Sequence, residues 1–269
     1  PVVMLSTLTQ AGASATLEAL DLGAVDFVPK PRSGRSSELV EVRSALIRAV
    51  RAAAGSRVRV RRLQRTAARK PTPPRTGPPR VGAPVSRLVV IGSSTGGPPA
   101  LAEVIPQLPA TLSAAVLVVQ HMPAKFTTSL AERLNGMSAL EVREAHDGEA
   151  LENGCVYVAP GSKQMALGRQ RRIKISDAPP VHGVRPSVDF MLESVPADLA
   201  QRSVVAILTG MGKDGANGAR RIQQLGGVVV AQDETTSVVY GMPRAVVELG
   251  VAQRVVALEG VATAIQDLL

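Results

Sequence analysis

The stretch Leu88–Leu101, LVVIGSSTGGPPAL, decides the fold. Four branched apolar residues run through Gly92 into two serines, a threonine and two glycines, and two prolines follow. Such a continuous apolar run is typical of a strand that is buried on both faces of a parallel sheet. Proline suits the first turn of a helix, and the glycines permit a sharp turn before it. The stretch therefore predicts a strand, a tight turn and a helix.

The same alternation continues to the end of the chain and predicts the fold class. Three further runs are rich in Val, Ile and Ala and predict strands, namely AAVLVVQ, SVVAILTG and GVVVAQD. Helical patterns separate them, including KFTTSLAERLNG and one long helix over PSVDFMLESVPADL. Four short strand-like pieces predict a small β-rich insert, namely LEVREA, CVYVAPG, QMALG and RRIKIS. We expect an α/β fold with a doubly wound, mostly parallel sheet.

Composition narrows the class of protein. The chain has 269 residues, of which 2% are aromatic, so Val, Leu, Ile and Ala must form the core. The single cysteine, Cys155, rules out a disulfide framework within the chain, fits the cytosol, and is expected to be a buried structural thiol. No apolar run approaches the ~18 residues that span a bilayer, and no cleavable signal pattern appears. These features predict a cytoplasmic protein that is not embedded in a membrane.

The net charge of +9 belongs to one segment. Residues 51–87 hold eleven of the 31 basic residues and no acidic residue, so 20 basic residues face 22 acidic ones elsewhere. The segment is also rich in proline and lacks a hydrophobic period, which predicts an extended linker. We interpret it as a solvated tether; a non-specific contact with an acidic partner or with nucleic acid is the alternative.

The linker divides the chain into three predicted parts. Residues 1–50 read β-α-β-α, which is about half of a doubly wound domain, and its first strand needs neighbours that this chain does not supply. We therefore expect a partial domain at 1–50, a basic Pro/Arg-rich linker at 51–86 and the main domain at 87–269.

Functional groups of an open parallel sheet gather beyond the carboxyl ends of its strands. Ser94 follows the first strand of the main domain, His121 follows VVQ, and Asp214 follows VVAILT within GMGKDG. A hydroxyl, an imidazole and a carboxylate are thus predicted at one edge, and these are the parts of an activated serine. Residues 92–96 also fit G-x-S-x-G, in which Ser94 would be lifted out of the sheet by a sharp turn.

Each of these residues has a plainer interpretation. The glycine-rich turn could bind a phosphate or nucleotide, although no P-loop lysine and no G-x-G-x-x-G spacing is present. His121 could be merely hydrogen-bonded, and Asp214 could cap the helix that follows it. The chain order Ser, His, Asp differs from that of α/β-hydrolases, so the G-x-S-x-G pattern does not indicate that fold.

Six separated motifs resemble a known family. They are VVIGSSTGGPPAL, VVQHMP, EAHDGEALENGCVYVAPG, RPSVDFMLES, LTGMGKDGANGA and QDETTSVVYGMPRAV, and their order and spacing resemble the chemotaxis protein-glutamate methylesterases. The resemblance covers about residues 87–269. It implies a hydrolase that removes methyl groups from glutamate side chains of chemoreceptors, with deamidation of receptor glutamines in some relatives.

The resemblance also implies roles for particular residues. Ser94, His121 and Asp214 match the catalytic triad of the family, the Met211 backbone matches its oxyanion donor, and Thr95 matches a threonine near the catalytic histidine. No cofactor and no metal is implied.

The family pattern is not matched everywhere. At the rim of the expected cleft, Arg185 and Gln164 are the candidate substrate contacts. Relatives usually carry histidine where this chain has Val184, with His182 two residues earlier, and often carry histidine in place of Gln164. We expect these departures to concern the cleft rim and receptor selectivity, not the triad.

The N-terminal part resembles the second half of the family's response-regulator receiver domain. Ser6 matches its switch hydroxyl and Lys30 its lysine. The implied partners are the cytoplasmic region of methylated chemoreceptors and a chemotaxis histidine kinase that acts through a complete receiver; the half that accepts the phosphoryl group is not in this chain. In relatives the receiver covers the catalytic cleft, and phosphorylation relieves this cover.

Two other functions remain as alternatives. The first is a doubly wound module that binds a nucleotide or phosphate in the glycine-rich turn. The second is a transcriptional response regulator that binds DNA. The region after the linker has no basic surplus and no helix-turn-helix pattern, which argues against specific nucleic-acid binding.

Overall fold

The computed structural model describes residues 1–7, 9–31, 36–56 and 85–269. In the N-terminal part the elements are β1 (Val3–Ser6), α1 (Gln10–Asp21), β2 (Asp26–Pro29) and α2 (Ser36–Gly55). The first half of the main domain has β3 (Leu88–Ser93), α3 (Gly97–Val104), β4 (Ala115–Gln120), α4 (Phe126–Met137), β5 (Glu141–Glu144), β6 (Cys155–Val158), β7 (Gln164–Leu167) and β8 (Ile173–Ser176). The second half has α5 (Val188–Glu193), α6 (Ala197–Ala200), β9 (Ser203–Ile207), α7 (Ala216–Gln224), β10 (Val228–Gln232), α8 (Met242–Glu248), β11 (Arg254–Val256) and α9 (Val261–Leu268).

The main domain is built on one seven-stranded sheet in the order β11-β10-β9-β3-β4-β6-β5. Every pair of neighbouring strands in it is parallel. Along β3, Val89 and Ile91 face one apolar cluster, while Leu88 and Val90 face the other. Helices α3, α4 and α9 cover the first face, and α5 to α8 cover the second. The predicted doubly wound parallel sheet is therefore confirmed.

The register of the central strands brings the predicted edge residues together. Ser93 pairs with Gln120 across β3 and β4, so Ser94 and His121 each stand one residue beyond this last pair. β9 lies on the other side of β3, and Gly92 pairs with its last residue, Ile207. The segment that carries Asp214 therefore leaves the sheet beside Ser94.

The predicted β-rich insert is smaller than expected. β5 and β6 belong to the main sheet, where Val156 and Val158 pair with β4 and are fully buried. Only β7 and β8 form a separate antiparallel hairpin. β6 is CVYV and is buried at every position, which indicates burial on both faces and outweighs its shortness. β5 is EVRE and forms the edge of the sheet beside β6, so its own pattern does not indicate this place. The expected single helix over 186–199 is also wrong, because Pro196 separates α5 from α6.

The N-terminal part packs on the helices that flank the site. β1 and β2 pair in parallel, and Ala13, Leu17 and Leu20 of α1 join the apolar cluster of α3 and α4. The rings of Phe27 and Phe126 stack with their centroids 4.4 Å apart. Helix α2 continues to Gly55, five residues into the segment predicted as linker, and residues 57–84 lie outside the described part. In the described ranges, no helix combines the length and hydropathy needed to cross a membrane.

Gly92, in the middle of the buried sheet, makes room for the start of α5. A Cβ atom on Gly92 would lie 2.8 Å from both methyl carbons of Val188. Real Cβ atoms do not approach other carbons this closely, so a side chain at position 92 must displace Val188. Strand β3 and helix α5 are therefore fitted to each other at this glycine.

We expect Gly92→Ala to lower the free energy of unfolding by about 1–3 kcal/mol, because overpacking a dense core forces a backbone or rotamer shift. Urea unfolding measures this loss. Gly136→Ala is the matched control, since no atom lies within 4 Å of a Cβ placed there in α4. The control should gain up to about 1 kcal/mol from helix propensity. Equal stability of the Gly92 variant and the wild type would contradict the close fit.

Candidate active site

Ser94 occupies a turn that holds its backbone from three sides. Its N–H donates to the Thr209 carbonyl oxygen at 3.0 Å, and its own carbonyl accepts from the Gly97 N–H at 2.8 Å and from Gln120 Nε2 at 2.9 Å. A Cβ on the neighbouring Gly210 would lie 2.8 Å from the Ser94 Cβ, so a glycine is required there. The Ser94 side chain is half-buried, and its hydroxyl bonds to no group within the described ranges. The backbone of Ser94 is thus held in place, and its hydroxyl makes no hydrogen bond to another described residue.

His121 stands beside Ser94 on the neighbouring strand. Its N–H donates to the Ser93 carbonyl oxygen at 3.1 Å, and its side chain is 10% exposed. The ring Nε2 lies 2.7 Å from Asp214 Oδ2. Nδ1 therefore remains as the nitrogen that can accept a proton. Strands in a sheet lie about 4.8 Å apart, and Ser94 and His121 each follow one member of the Ser93–Gln120 pair, so the two residues are neighbours at the sheet edge.

Asp214 is buried and receives four hydrogen bonds. Apart from His121, its donors are the Ser187 hydroxyl at 2.8 Å, the Val188 N–H at 2.7 Å and the Asp189 N–H at 3.1 Å. Burial opposes the negative charge of Asp214, but the hydrogen bonds from His121, Val188 and Ser187 prevail and hold its pKa below the ordinary value. The carboxylate is therefore ionised at neutral pH and fixes the tautomer of His121 with a proton on Nε2.

Asp214 does not cap the helix that follows it in sequence. The N-cap of α7 is Gly215, with φ of 93°, and its helix start has no side-chain cap. The carboxylate instead binds the first amides of α5, which is distant in sequence. Ser187, which caps α5 by accepting from the Phe190 N–H at 3.2 Å, also donates to Asp214. The cap of α5 could be read from its Ser before an apolar run, but its partner Asp214 could not.

Met211, whose backbone is the expected oxyanion donor, lies at the turn after β9, and Thr95 lies at the turn after β3. Thr95 is 7% exposed, and its hydroxyl donates to Asp26 Oδ2 of β2 at 2.5 Å, not to the histidine. Met211 is 38% exposed. Among the described residues, the backbone N–H groups of Thr95 and Met211 donate to no other group. Both amides are therefore available to a bound oxygen.

The two candidate cleft residues lie at different depths. Gln164 is fully buried, and its amide joins the Ser187 N–H at 2.9 Å to the Pro179 carbonyl oxygen at 3.1 Å. It braces the segment that leads into α5 from inside. Arg185 is half-buried and donates to the Asp177 and Ala178 carbonyl oxygens at 3.2 and 3.3 Å. Of the pair, only Arg185 offers a side chain at the surface.

The two receiver-like residues lie in the N-terminal part. Ser6 is 8% exposed, accepts from the Thr16 hydroxyl at 2.6 Å and donates to the Gly12 carbonyl oxygen at 3.0 Å. Lys30 is exposed, and its N–H donates to the Ser6 carbonyl oxygen at 2.7 Å. The two residues therefore meet at the carboxyl ends of β1 and β2.

One grouping within the described ranges has the spacing of a metal site. Single ligand-type atoms of His182, Asp189 and Asp214 lie within 4.8 Å of one another. The carboxylate of Asp214 already accepts four hydrogen bonds, two of them from backbone amides that cannot turn away. A cation there would have to displace His121 or these amides. The donor set therefore fits a hydrogen-bonded network better than a metal centre.

Cys155 in β6 has no nucleophilic environment. It is buried, and this burial is the main cause that raises its pKa to about 12. A thiol with such a pKa is almost fully protonated at neutral pH and is a poor nucleophile. The expected structural role of this cysteine agrees with its place in the apolar cluster.

The comparisons with known proteins all point to the same family. Residues 89–265 match the family model described as CheB methylesterase. A protein of Symbiobacterium thermophilum named protein-glutamate methylesterase/protein-glutamine glutaminase is 48% identical, over 98% of this chain and 75% of the relative. A protein of Archaeoglobus fulgidus with the same name is 49% identical, over 93% and 72%. The crystal structure of the Thermotoga maritima CheB methylesterase catalytic domain superposes with a TM-score of 0.66 and 43% identity, over 68% of this chain and 98% of that domain.

The lowered pKa of Asp214 predicts how stability depends on pH. A carboxylate whose pKa falls on folding adds stability above about pH 4, its unfolded value, and this stability is lost as the pH falls through the folded value. In urea titrations at several acidic pH values, we expect Asp214→Asn to lose stability less steeply on acidification than the wild type. Equal slopes would contradict the ionised, hydrogen-bonded state.

Asp177→Asn is the matched control for this experiment. Its pKa is also lowered, through Lys163, but Asp177 is exposed. Salt screens such surface pairs, so in about 1 M salt the slope of the control should equal that of the wild type. The slope difference of the Asp214 variant should persist.

Proposed function

Because the chain belongs to the CheB methylesterase family, we propose that it hydrolyses γ-glutamyl methyl esters of chemoreceptors with Ser94 as the nucleophile. The observation that carries this assignment is the His121–Asp214 contact of 2.7 Å at the sheet edge where Ser94 follows β3. An imidazole with one nitrogen fixed by a buried carboxylate is a general base at its other nitrogen. We assign Ser94, whose hydroxyl is unengaged within the described ranges, as the group that gives this nitrogen its proton.

The reaction is a two-step acyl transfer. Ser94 Oγ attacks the ester carbonyl carbon, and its proton passes to His121 Nδ1. The tetrahedral intermediate collapses, His121 returns the proton to the departing methoxide, and methanol leaves. A water molecule then attacks the acyl-enzyme while His121 takes its proton, and release of Ser94 yields the glutamate carboxylate. Asp214 stabilises the imidazolium that forms in both steps.

The oxyanion of each tetrahedral intermediate needs hydrogen-bond donors. The N–H groups of Thr95 and Met211, which bond to nothing within the described ranges, support their assignment to this role. One comes from the turn after β3, which also carries the reacting serine, and the other from the turn after the neighbouring strand β9. Backbone donors of this kind are fixed before the reaction and need no reorganisation when the charge develops. Arg185, at the surface, is proposed to contact the receptor.

The names of the relatives include a glutaminase activity, and the same chemistry accommodates it. A glutamine side chain presents the same γ-carbonyl carbon to Ser94, and the leaving group is then ammonia in place of methanol. The alternatives of a nucleotide-binding module and of a DNA-binding regulator are not favoured by the family match. We propose the cytoplasmic part of methylated receptors as the substrate.

We also propose that residues 1–50 are the second half of a receiver domain, joined by the basic segment 51–86 to the catalytic domain at 87–269. A complete receiver would connect the enzyme to a histidine kinase. The packing of α1 on α3 and α4 and the hydrogen bond from Thr95 to Asp26 support a restraining role, because Thr95 is next to Ser94. While Asp26 holds Thr95, the N-terminal part lies against the turn that must receive the ester.

We expect Ser94→Ala to lower methanol release from methylated receptor by about 10⁴-fold or more, as loss of a triad nucleophile does. Trapped methanol measures the rate, and urea unfolding shows whether the fold is intact. Ser113→Ala is the matched control, because Ser113 is exposed and precedes β4 at the opposite edge of the sheet. A folded Ser94 variant with near-normal turnover would refute the assignment. Hydrolysis that survives chelator and removal of nucleotide separates the enzyme from a nucleotide-binding module.

The Asp26–Thr95 contact predicts activation when it is removed. A lost hydrogen bond of about 1 kcal/mol shifts the docking equilibrium about fivefold, so Asp26→Ala should raise methanol release several-fold. Burial raises the pKa of Asp26, although its hydrogen bonds with Thr95 and Phe27 oppose the shift. The state in which the N-terminal part is docked on the catalytic domain therefore binds a proton at Asp26 more readily than the undocked state. The restraint should accordingly strengthen as the pH falls and weaken as the pH rises past the raised pKa of Asp26.

Asp26→Asn is the control for charge. The amide oxygen still accepts from Thr95 and carries no charge, so this variant should remain restrained and lose the pH dependence of restraint. Unchanged activity of Asp26→Ala across the pH range would show that the contact restrains nothing.

A further inference from the structure

A second histidine–aspartate pair, His182 and Asp189, lies next to the carboxylate of Asp214. His182 Nε2 is 2.9 Å from Asp189 Oδ2, and the other Asp189 oxygen accepts from the Gly218 N–H at 2.7 Å. Asp189 is 1% exposed, whereas the His182 side chain is 32% exposed. The pair therefore extends from His182 at the surface to the buried Asp189 at the start of α5.

This pair is electrostatically close to the triad. Carboxylate oxygens of Asp189 and Asp214 lie within 4.8 Å of each other, and the Asp189 N–H donates to Asp214 at 3.1 Å. Two buried carboxylates at such a distance repel each other, so each needs hydrogen-bond donors of its own. His121 faces Asp214, and His182 faces Asp189, so each carboxylate has its own imidazole.

Other charged groups on the surrounding elements point elsewhere. Arg185, from the segment before α5, donates to the carbonyl oxygens of Asp177 and Ala178. Arg221 of α7 donates to the Leu192 carbonyl oxygen, and Lys213 and Glu193 are exposed. Within the described ranges, His182 is therefore the group that can place a positive charge on Asp189.

The backbone around His182 forms a tight turn from which its side chain reaches Asp189. Val181 and Val184 exchange backbone hydrogen bonds of 3.1 and 2.9 Å, with two residues between them. His182 has φ of 52° and Gly183 has φ of 75°, so both central residues are left-handed. A two-residue hairpin of this kind prefers asparagine or glycine at its first central position. A histidine there accepts some backbone strain and in return delivers its imidazole to Asp189.

We propose that His182 is a positioning residue of the triad that acts through Asp189, an inference that rests on the proposed role of Ser94, His121 and Asp214. The imidazole of His182 pairs with one carboxylate oxygen of Asp189, and the other oxygen is thereby kept on the Gly218 N–H. Asp189 in turn holds the start of α5, whose amides fix Asp214. His182 makes no contact with the reacting atoms, and it sets how readily His121 takes up a proton.

The test is the pH dependence of kcat/KM for methanol release from methylated receptor. Its acidic limb reports protonation of His121. His182→Gln removes the imidazole that faces Asp189 and leaves this carboxylate less well compensated, so the limb should move to higher pH by about one unit, and kcat should fall by about tenfold. Asp189→Asn removes the charge itself, so its limb should move to lower pH. KM should stay unchanged in both variants.

Three further variants complete the design. His182→Lys supplies a cation and should move the limb back towards the wild-type position. His146→Gln is the matched control, because the His146 side chain is 78% exposed and lies 3.9 Å from Glu149, so its limb should not move. Should His182→Gln not fold, His182→Asn removes the same imidazole and tolerates the left-handed backbone.

The outcomes separate this inference from the triad itself. An active Ser94→Ala would overturn the triad, and the inference would fall with it. An inactive Ser94→Ala, with limbs that do not move or move in the same direction in the His182 and Asp189 variants, would overturn only the positioning role. Limbs that move in opposite directions, with recovery in His182→Lys, would establish it.

Discussion

The carboxylate of Asp214 depends on a helix that the chain builds from another region. Its oxygens take the first amides of α5 and the Ser187 hydroxyl, as well as His121. These donors keep a buried charge ionised where burial alone would neutralise it. An oriented general base therefore requires that the sheet edge and the start of α5 form together. The proposed triad is in this sense a product of tertiary packing, not of the strand ends alone.

The sequence predicted the strand ends well, for a physical reason. Parallel strands put their carboxyl ends at one edge, so residues that follow successive apolar runs must be neighbours. Ser94, His121 and the segment of Asp214 could be placed together by this rule. The support of Asp214 could not, because Ser187 and its helix reach the site through packing on the face of the sheet. Local sequence patterns indicate Ser187 as a helix cap, but they do not reveal that its hydroxyl also donates to Asp214.

Errors in the predicted fold have the same origin. β5 and β6 are short, and their lengths and turns suggested a separate insert. In β6, however, Val156 and Val158 are buried on one face and Cys155 and Tyr157 on the other, which requires a place in the central sheet. The resemblance to the family implied that the departures around Val184 and His182 concern the cleft rim. The turn at His182 is indeed exposed, but its left-handed backbone carries the ring inward to Asp189. Side-chain direction in a tight turn depends on backbone angles that no residue pattern reports.

The packing around Val188 couples the stability of the fold to the orientation of the Asp214 carboxylate. Its N–H binds Asp214, and its methyl carbons fill the space that Gly92 and Gly215 leave open. A Cβ at either glycine would come within 2.8 Å of Val188, so the position of this one side chain is set from the strand and from the catalytic loop together. Interiors this dense move by discrete repacking, not by gradual deformation. A change that loosens the start of α5 must therefore release the carboxylate, and with it the orientation of the base.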